Sequence, residues 1–585
     1  MAKSVALLTL ALFAAGCGKT PSQKLSALSE EFVYGALAFS PSAATAAGLH
    51  QYQKQNLDEM LDDFGAQSLA RQRTFYEKFG DRLADLKTGE LTPEDRADLT
   101  ILQDQIALNL LDLTEIHSHL HNPQLYVETL GNALFAPYVL EYAPQPERIR
   151  HIIARLKNVP LFLDQASTNL VSAPDVWTRV AIEENQGNIG IVDKEIRAGV
   201  PPDQAENYTR AARPALEAMS KFDKFLRSSL STRNTYDWRL GRTLYAKKFQ
   251  YSLEIGIEPE NVLQQAERDL TAVRARMLAL ALPLHREAFP SHKDHGDLAG
   301  AELENAVIGE VLGKIADRHA AAESYMDDAR KSLDEARAFV QEKRLLTLPP
   351  RANLQVIPTP EFMRGSYPVG GFNAAPALEP QLGAFYWVTP IPPAWPKERA
   401  ESKLREYNFY KLKLLTIHEA MPGHYVQMEI ANDVQPKARR LLRSIFGNGA
   451  YIEGWAQYAT QVMLDEGFLN HAPELALTFA KEELRVLANA ILDVRLQMLN
   501  IPDQEALDLM EKQTFQEVEE ATAKLQRAKL TSAQLPMYYV GWRAWIKARE
   551  EYKLAKGSAF SLADFNDRAL KEGAVPIPVL GSLLK

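Results

Sequence analysis

Between about residues 22 and 345 the chain repeats its apolar residues with a helical period and contains few glycines. That pattern is typical of amphipathic helices that each bury one stripe. Pro-rich or polar breaks, such as APQPER, SAPD and GVPPDQ, divide the pattern and predict turns between antiparallel helices. We expect long helices over 260–282, with Pro259 in the first turn, and over the charged run 301–343. The sequence therefore predicts a mainly α fold.

The composition changes between residues 346 and 396, where prolines and glycines accumulate. Two runs there, NLQVIPT and GAFYWVT, are β-branched or aromatic and predict a small sheet. Helical spacing then returns, in a stripe formed by Leu484, Leu487, Ile491, Val494 and Met498. We expect one unit over 25–585, with a helical half over 25–345, a second half over 346–585, and a substrate cleft between the halves.

The N-terminus, MAKSVALLTLALFAAGCGKT, has a lysine, a short apolar run and then small residues, as a secretion signal does. Its segment AAGC resembles a bacterial lipobox, although Ala14 replaces the usual Leu. We expect 1–16 to be a signal peptide and 17–24 a tether lipidated at Cys17. The alternative is an ordinary signal peptide with an incidental cysteine. Gly18 follows where an Asp would suggest inner-membrane retention, which favours the outer membrane, facing the periplasm.

Charge and cysteine content exclude two further possibilities. With 66 basic and 75 acidic residues and a formal charge of -9, the chain has no basic field for binding nucleic acid. Cys17 is the only cysteine in the sequence, so an internal disulfide cannot form. No later apolar run is long enough to cross a bilayer, and membrane contact is therefore expected through the N-terminal lipid alone.

The stretch TIHEAMPGHYVQ, residues 416–427, begins like the H-E-x-x-H motif of zinc peptidases, but its second histidine comes two residues late. In a continuous helix, positions six apart point roughly 120° away from each other, which would keep His418 and His424 from sharing a metal. Pro422 lacks an N–H and collides with the carbonyl of His418, so the helix must end or bulge there. Gly423 can adopt a backbone conformation closed to other residues. We therefore expect the Pro-Gly pair to turn His424 back toward His418.

A zinc site of this type needs a third protein ligand and one position left open for water. Glu453 lies in an almost wholly apolar helix, NGAYIEGWAQYATQVML, where an unpaired carboxylate is costly, so it is the candidate ligand. Glu419, beside the first histidine, is placed to accept a proton from the attacking water and pass it to the leaving amine. Any one of the 12 histidines alone is explained more simply as a satisfied core histidine. The combination of motifs favours a site for one zinc ion.

At these residues the sequence resembles a widespread bacterial family, domain-of-unknown-function family 885. Its motif plan is related to that of the HExxH zinc carboxypeptidases of the thermostable Taq type. The family's T-x-H-E-x-x-P-G-H-x-x-Q and E-G-W-A-x-Y blocks correspond to Thr416, His418, Glu419, Pro422, Gly423, His424, Gln427, Glu453, Gly454, Trp455, Ala456 and Tyr458. The resemblance covers nearly the whole mature chain. It implies a large helical, zincin-like fold with the small sheet beside the active-site helix.

The resemblance extends to a block near the C-terminus, which includes Arg527, Gln534, Tyr538 and Gly541. A tyrosine near such a zinc site would donate a hydrogen bond to the developing oxyanion, and an arginine would hold a substrate carboxylate. Tyr538 and Arg527 are the candidates for these roles, with Tyr539 as a competitor for the first. The strand GAFYWV also matches the family, either as a partner for an extended peptide or as a strand that only packs the sheet.

Other matches and departures concern the surroundings of the site. Arg485 and Asp493 match polar positions of a family helix, and we favour a buried structural ion pair over substrate contact. Thr460 stands seven residues after Glu453, where the family usually repeats a Glu, and Gln497 stands where many members have a His. Positions seven apart share a helix face, so Thr460 is expected to replace a carboxylate that supports the ligands.

These observations together favour a zinc-dependent hydrolase of peptide or similar amide bonds in the cell envelope, with a carboxypeptidase-like substrate preference implied by analogy. Two alternatives remain open at this point. One is a non-catalytic envelope lipoprotein that binds a ligand or partner. The other is a metal-dependent hydrolase that acts on a substrate other than a peptide.

Overall fold

A computed structural model of the chain describes residues 19–292, 295–364 and 367–584. The predicted signal peptide, 1–16, and the predicted lipidation site, Cys17, lie outside these residues. Helices dominate the described chain, as the periodicity predicted. None of the helices in this part of the chain has the length and apolar character needed to cross a bilayer.

The first half is built from helices joined by short connections. They are α1 (Pro21–Ala38), α2 (Pro41–Ala46), α3 (Ala66–Ala84), α4 (Pro93–Leu111), α5 (Ser118–His121), α6 (Pro123–Val139), α7 (Gln145–Asn169), α8 (Asp175–Gly190), α9 (Arg197–Gly199), α10 (Ala205–Ser228), α11 (Gly241–Leu253), α12 (Pro259–Ala288), α13 (Gly300–Ala316) and α14 (Tyr325–Lys343). Several begin with a proline, whose fixed φ and missing N–H suit a first turn. Because α1 begins at Pro21, the predicted tether 17–24 overlaps the first helix.

The charged run 301–343 forms two helices, α13 and α14, where one long helix was expected. Tertiary contacts hold the break between them. The carbonyl of Arg318 accepts a hydrogen bond from the Phe409 N–H (2.8 Å), and the Arg318 guanidinium lies 3.7 Å from the centre of the Phe409 ring. These contacts outweigh the weak preference of an Ala-containing segment for helix.

Two small sheets interrupt the helices. The first is an antiparallel pair, β1 (Gln51–Tyr52) and β2 (Gln55–Asn56). The second contains β3 (Leu354–Pro358), β4 (Gly370–Asn373) and β5 (Ala384–Val388), in the order β3-β5-β4. Strand β3 is parallel to β5, and β4 is antiparallel to it. The two predicted runs are β3 and β5, whereas β4 has the sequence GGFN, which lacks the β-branched residues that mark a strand.

The second half returns to helices after the sheet. They are α15 (Lys397–Glu406), α16 (Phe409–Glu419), α17 (His424–Ala431), α18 (Lys437–Ile445), α19 (Gly449–Asp465), α20 (Pro473–Val494), α21 (Asp503–Asp508), α22 (Val518–Leu530), α23 (Pro536–Lys556), α24 (Leu562–Lys571) and α25 (Leu580–Leu583). The predicted apolar stripe lies on α20 and is buried from Leu484 to Val494.

One large hydrophobic core connects α11–α14 of the first half with the sheet and the helices of the second half. Smaller cores lie among α6–α10 and among α1, α3 and α4. The sheet contacts the helix that carries the first histidine, since the hydroxyls of Tyr386 on β5 and Thr416 on α16 are 3.2 Å apart. The sheet therefore lies beside α16, as predicted.

Candidate metal centre

Helix α16 carries His418 and Glu419 in its last turn. It begins at a cap in which the Asn408 side chain accepts hydrogen bonds from two backbone N–H groups, those of Tyr410 and Lys411. It ends at Glu419, three residues before Pro422, as the sequence predicted.

The Pro-Gly turn brings the chain back over the end of α16. The Gly423 N–H donates to the carbonyl of Ile417 (2.9 Å), and α17 begins at His424. Gly423 has a φ of -68° and a ψ of -131°, which lies outside the α and β regions open to other residues, as the sequence predicted. A Cβ there would lie 1.9 Å from the carbonyl oxygen of His418. Glycine is required because no side chain fits between the turn and the helix end.

Three predicted ligands meet at this turn. His418 Nε2 lies 3.6 Å and His424 Nε2 lies 3.4 Å from the same oxygen of Glu453, Oε2. The two imidazole rings are 4.8 Å apart and nearly perpendicular, at 85°. Donors about 2.0–2.2 Å from a tetrahedral zinc ion are separated by roughly 3.3–3.5 Å, whereas N–H···O hydrogen bonds span about 2.7–3.2 Å. The observed spacing fits a shared metal better than hydrogen bonds.

The Glu453 carboxylate has the surroundings of a ligand. Its side chain is 19% exposed, but Oε2 is buried and accepts no hydrogen bond from any described residue. Burial alone would raise the pKa of Glu453, but the imidazoles of His418 and His424 hold that pKa well below its usual range. A buried, ionised carboxylate oxygen without a hydrogen bond is costly, and a cation bound between the three side chains would remove that cost. The residues therefore fit a divalent metal.

Close packing of α19 and α23 holds the Pro-Gly turn in place beside the three candidate ligands. The Trp455 indole N–H donates to the carbonyls of Pro422 (2.9 Å) and Gly423 (3.2 Å), so α19 holds the Pro-Gly turn directly. A Cβ on Gly541 would lie 1.8 Å from the carbonyl of Ala450, which means that α19 and α23 touch backbone to backbone. That contact places the start of α23 beside the three ligands.

Tyr538 on α23 lies next to the first histidine, with its ring 6.3 Å from that of His418. Its oxygen accepts from Arg527 Nη2 (3.3 Å) and Gln534 Nε2 (3.4 Å). Burial, and then the charge of Glu453, raise the pKa of Tyr538 to about 12, so the phenol keeps its proton. Both neighbours are donors, which leaves that proton free to bond to a third group.

The competing tyrosine is excluded by its position. The Tyr539 hydroxyl donates to Asp269 Oδ2 (2.7 Å), away from the three ligands. Tyr538 and Arg527 are therefore the predicted pair that the structure brings to the site.

A cavity of about 130 Å³ opens beside His418 and Glu419. All of its walls come from residues between 367 and 538, so the cavity lies within the second half. The sequence predicted a cleft between the two halves. The reason for the difference is that α16, α19, α20 and α22 enclose the cavity among themselves. Its lining includes residues that the sequence did not single out, namely Tyr367, Gly370, Tyr407, Lys411, Gln457, Glu482, Glu520 and Lys524.

Gln457 is the supporting residue that the sequence missed. Its amide nitrogen lies 3.5 Å from His418 Nδ1, one turn after Glu453 on α19. The four-residue spacing from Glu453 was the available signal, because such positions share a helix face. Thr460 takes no part in this support, since its hydroxyl donates to the carbonyl of Ala456 (2.8 Å).

The buried ion pair between Arg485 and Asp493 that the sequence favoured is not formed, and Arg485 lines the cavity. Asp493 accepts from the Tyr245 hydroxyl (2.6 Å) and the Ala533 N–H (2.8 Å). Gln497 accepts from the Leu240 N–H (2.9 Å). Arg485 pairs with Glu520 and not with Asp493.

The suggested pairing of strand GAFYWV with a peptide is wrong. This run is β5, the central strand, and both of its edges are occupied by β3 and β4. The edge strand β4 reaches the cavity instead, through Gly370.

A second group of possible metal donors lies at His285, His292, His295 and Glu310. His285 Nε2 is 2.8 Å and His295 Nε2 is 3.1 Å from the Glu310 carboxylate. These are ordinary hydrogen-bond lengths, shorter than the spacing of roughly 3.3–3.5 Å around a tetrahedral metal. Hydrogen bonding accounts for His285 and His295, whereas His292 Nδ1 lies 3.6 Å from Glu310 Oε2.

Comparisons with known proteins agree with the fold. A family model described as "Bacterial protein of unknown function (DUF885)" matches residues 41–584. No curated protein is significantly similar to the sequence. Among solved structures, a "putative lipoprotein of unknown function" from Shewanella oneidensis is 27% identical, with 97% of this chain and 100% of that one covered and a TM-score of 0.77.

Two further solved structures differ in how much they resemble the chain. A "putative lipoprotein" from Colwellia psychrerythraea is 17% identical, with 97% and 98% of the two chains covered and a TM-score of 0.76, and therefore shares the fold. Metallocarboxypeptidase 1 from Trypanosoma cruzi is 10% identical over 96% of this chain and 91% of its own, with a TM-score of 0.38. That similarity is too low to bear on fold or activity.

Proposed function

Since the chain belongs to DUF885, a family of bacterial proteins of unknown function, we propose from its site that it is a zinc-dependent hydrolase of peptide or similar amide bonds. One observation carries the proposal. A single buried oxygen, Glu453 Oε2, faces the Nε2 atoms of His418 and His424 at 3.6 and 3.4 Å and has no hydrogen-bond partner among the described residues.

His418, His424 and Glu453 would hold one zinc ion and leave a fourth position open. Zinc in such a site polarises a carbonyl group and lowers the pKa of water toward about 7. The other roles belong to side chains of this chain. Glu419, at the cavity wall beside His418, would take the proton of the attacking water and give it to the leaving amine.

Tyr538 supports the same reaction through its free hydroxyl proton. Its oxygen already accepts from Arg527 and Gln534, so the O–H is oriented away from both and would donate to the oxyanion that forms as the carbonyl is attacked. Arg527 has donors only, and its remaining N–H groups would hold a substrate carboxylate. A short peptide with a free C-terminus meets these requirements.

The protein would act in the cell envelope as a single catalytic unit over 25–585. The lipobox-like segment that ends at Cys17 supports a lipid anchor, with the outer membrane facing the periplasm as the favoured site. Replacing Cys17 by Ser should move the protein from the membrane fraction to the soluble fraction. Retention of the variant in the membrane fraction would argue against the anchor.

The test of the function uses Glu419→Gln, which keeps the size of the side chain and removes the base. Peptide hydrolysis should fall by about 10²–10⁴-fold while bound zinc is unchanged. Glu466→Gln is the matched control, because Glu466 is exposed just beyond the end of α19 and should behave like wild type.

Two results would favour one of the alternative functions over the proposed one. If wild-type protein cleaves esters or other amides but no peptide, the substrate class is wrong. If the protein holds no metal and Glu419→Gln changes nothing measurable, the chain is an envelope protein that binds a ligand or partner without catalysis.

A further inference from the structure

A group of buried and half-buried charges contains more cations than carboxylates, and four of its six cations line the cavity beside the candidate metal centre. We call it the cation cluster, and its cations are Lys403, Lys411, Lys481, Arg485, Lys524 and Arg527, with the carboxylates of Glu406, Glu482 and Glu520 among them. The residues come from α15, α16, α20 and α22. A surplus of buried positive charge is unfavourable unless an anion compensates it.

Half of these cations have carboxylate partners. Lys481 pairs with Glu406 at 2.8 Å. Lys411 pairs with Glu482, and Arg485 pairs with Glu520. Each of the three carboxylates of the cluster is therefore already paired with one of these cations.

The other three cations have no carboxylate within ion-pair distance in the described chain. Lys403 lies over the ring of Tyr407, 4.3 Å from its centre. Arg527 bonds to the neutral groups of Gln534 and Tyr538, both at 3.3 Å. Each of these two therefore has at least a neutral partner.

Lys524 has none. It is 5% exposed, lines the cavity, and makes no hydrogen bond or ion pair with any described residue. Burial, and then the charges of Arg485 and Arg527, lower the pKa of Lys524 well below its usual value. This ammonium group is 5% exposed and has no carboxylate within ion-pair distance in the described chain, although Glu482 and Glu520 act on it from further away, and an anion entering the cavity would pair with it directly.

We propose that the cavity binds a carboxylate of the substrate, held by Lys524 and Arg527, which are three residues apart on α22. This inference rests on the proposed function in one respect, that the bond to be cut lies at the metal centre. Arg527 touches the Tyr538 hydroxyl, and the Tyr538 ring lies 6.3 Å from that of His418. One side chain therefore separates the bound carboxylate from the ligands, which places it within about one residue of the scissile bond.

A carboxylate so near the cleaved bond has two sources, the C-terminus of the peptide or the side chain of an Asp or Glu next to the bond. Four peptides with the same scissile bond separate them: free acid or C-terminal amide, each with Glu or Gln beside the bond. Wild type should cleave the charged peptides with a kcat/KM about 10- to 100-fold above their neutral counterparts. If the free acids are cleaved faster than the amides, the carboxylate is the C-terminus. If the Glu peptides are cleaved faster than the Gln peptides, it is the side chain beside the bond.

The variant is Lys524→Met, which replaces a buried charge by an apolar chain of similar length and should not weaken folding. It should lose the preference for charged peptides, mainly through a higher KM for them. Lys529→Met is the control, because Lys529 is on the same helix but pairs with Asp503 (2.6 Å) outside the cavity. An equal preference in wild type and Lys524→Met would overturn the assignment.

A binding measurement separates this inference from the proposed function. Succinate, a dicarboxylate, should raise the melting temperature of metal-free wild type and of Lys529→Met, but not of Lys524→Met. That result supports the carboxylate site even if no peptide is cleaved. Absence of any succinate effect, together with equal cleavage or no cleavage of charged and neutral peptides, would refute it.

Discussion

The packing of Gly423 predicts that its replacement by Ala disables the metal centre. The new Cβ would lie 1.9 Å from the carbonyl oxygen of His418, and Cβ atoms essentially never come closer than 3.0 Å to such a group. The turn or the helix end must therefore move by about 1 Å. Metal sites tolerate shifts in ligand distance of about ±0.2 Å, so His418 and His424 could no longer serve one ion. We expect zinc affinity to fall by at least about 100-fold.

The assay is zinc affinity measured by competition with a chelating dye, alongside thermal melting with and without EDTA. Gly309→Ala is the control, because a Cβ on Gly309, within α13, meets nothing within 4 Å. The control should bind zinc like wild type and melt at the same temperature or slightly higher. If Gly423→Ala bound zinc within twofold of Gly309→Ala, the role assigned to the Pro-Gly turn would be refuted.

Three further predictions concern Trp455, Tyr538 and Glu254. Trp455→Phe removes both hydrogen bonds to the Pro-Gly turn and should weaken zinc binding about tenfold and lower the free energy of unfolding in urea by about 1–2 kcal/mol. Tyr538→Phe should lower kcat by about 10²–10³-fold with little change in KM, whereas Tyr539→Phe should leave steady-state kinetics unchanged; equal effects would contradict the oxyanion role. Burial raises the pKa of Glu254 to about 8 from its usual value of 4.5. Between about pH 4.5 and pH 8 the folded state therefore keeps a proton that the unfolded state has lost. The free energy of unfolding should fall as the pH rises through this range. Glu254→Gln keeps the bond from Asn448 (2.8 Å) and should stabilise the protein on the order of 2 kcal/mol at pH 8 but not at pH 4, as melting at both pH values would show.

The three candidate ligands could be chosen from the sequence because local chemistry points to them. A proline disrupts the hydrogen bonding of a helix, and a glutamate in an apolar helix needs a partner, so His418, His424 and Glu453 could be chosen from residue types and spacing alone. The resemblance to family 885 drawn from the same motifs is confirmed by the match over 41–584. The mainly α fold followed equally from helical period.

Features that depend on tertiary packing were not predictable. A second reason for Gly423, beside its backbone conformation, is the clash of a Cβ with a carbonyl brought close by the turn, and sequence spacing does not show that distance. The central position of β5 depends on β4, whose GGFN sequence has no strand pattern. Lys524 reads as an ordinary charged residue on an amphipathic helix, and only the fold reveals that it is buried without a partner.

The central claim is that three side chains hold one metal ion, and elemental analysis of protein purified without added metal tests it most directly. Wild type should contain one zinc ion per chain, and His424→Ala and Glu453→Gln should contain almost none. Glu310→Gln, in the hydrogen-bonded histidine group, should retain one. Equal zinc in wild type and His424→Ala, or loss of zinc in Glu310→Gln alone, would contradict the assignment of the centre to His418, His424 and Glu453.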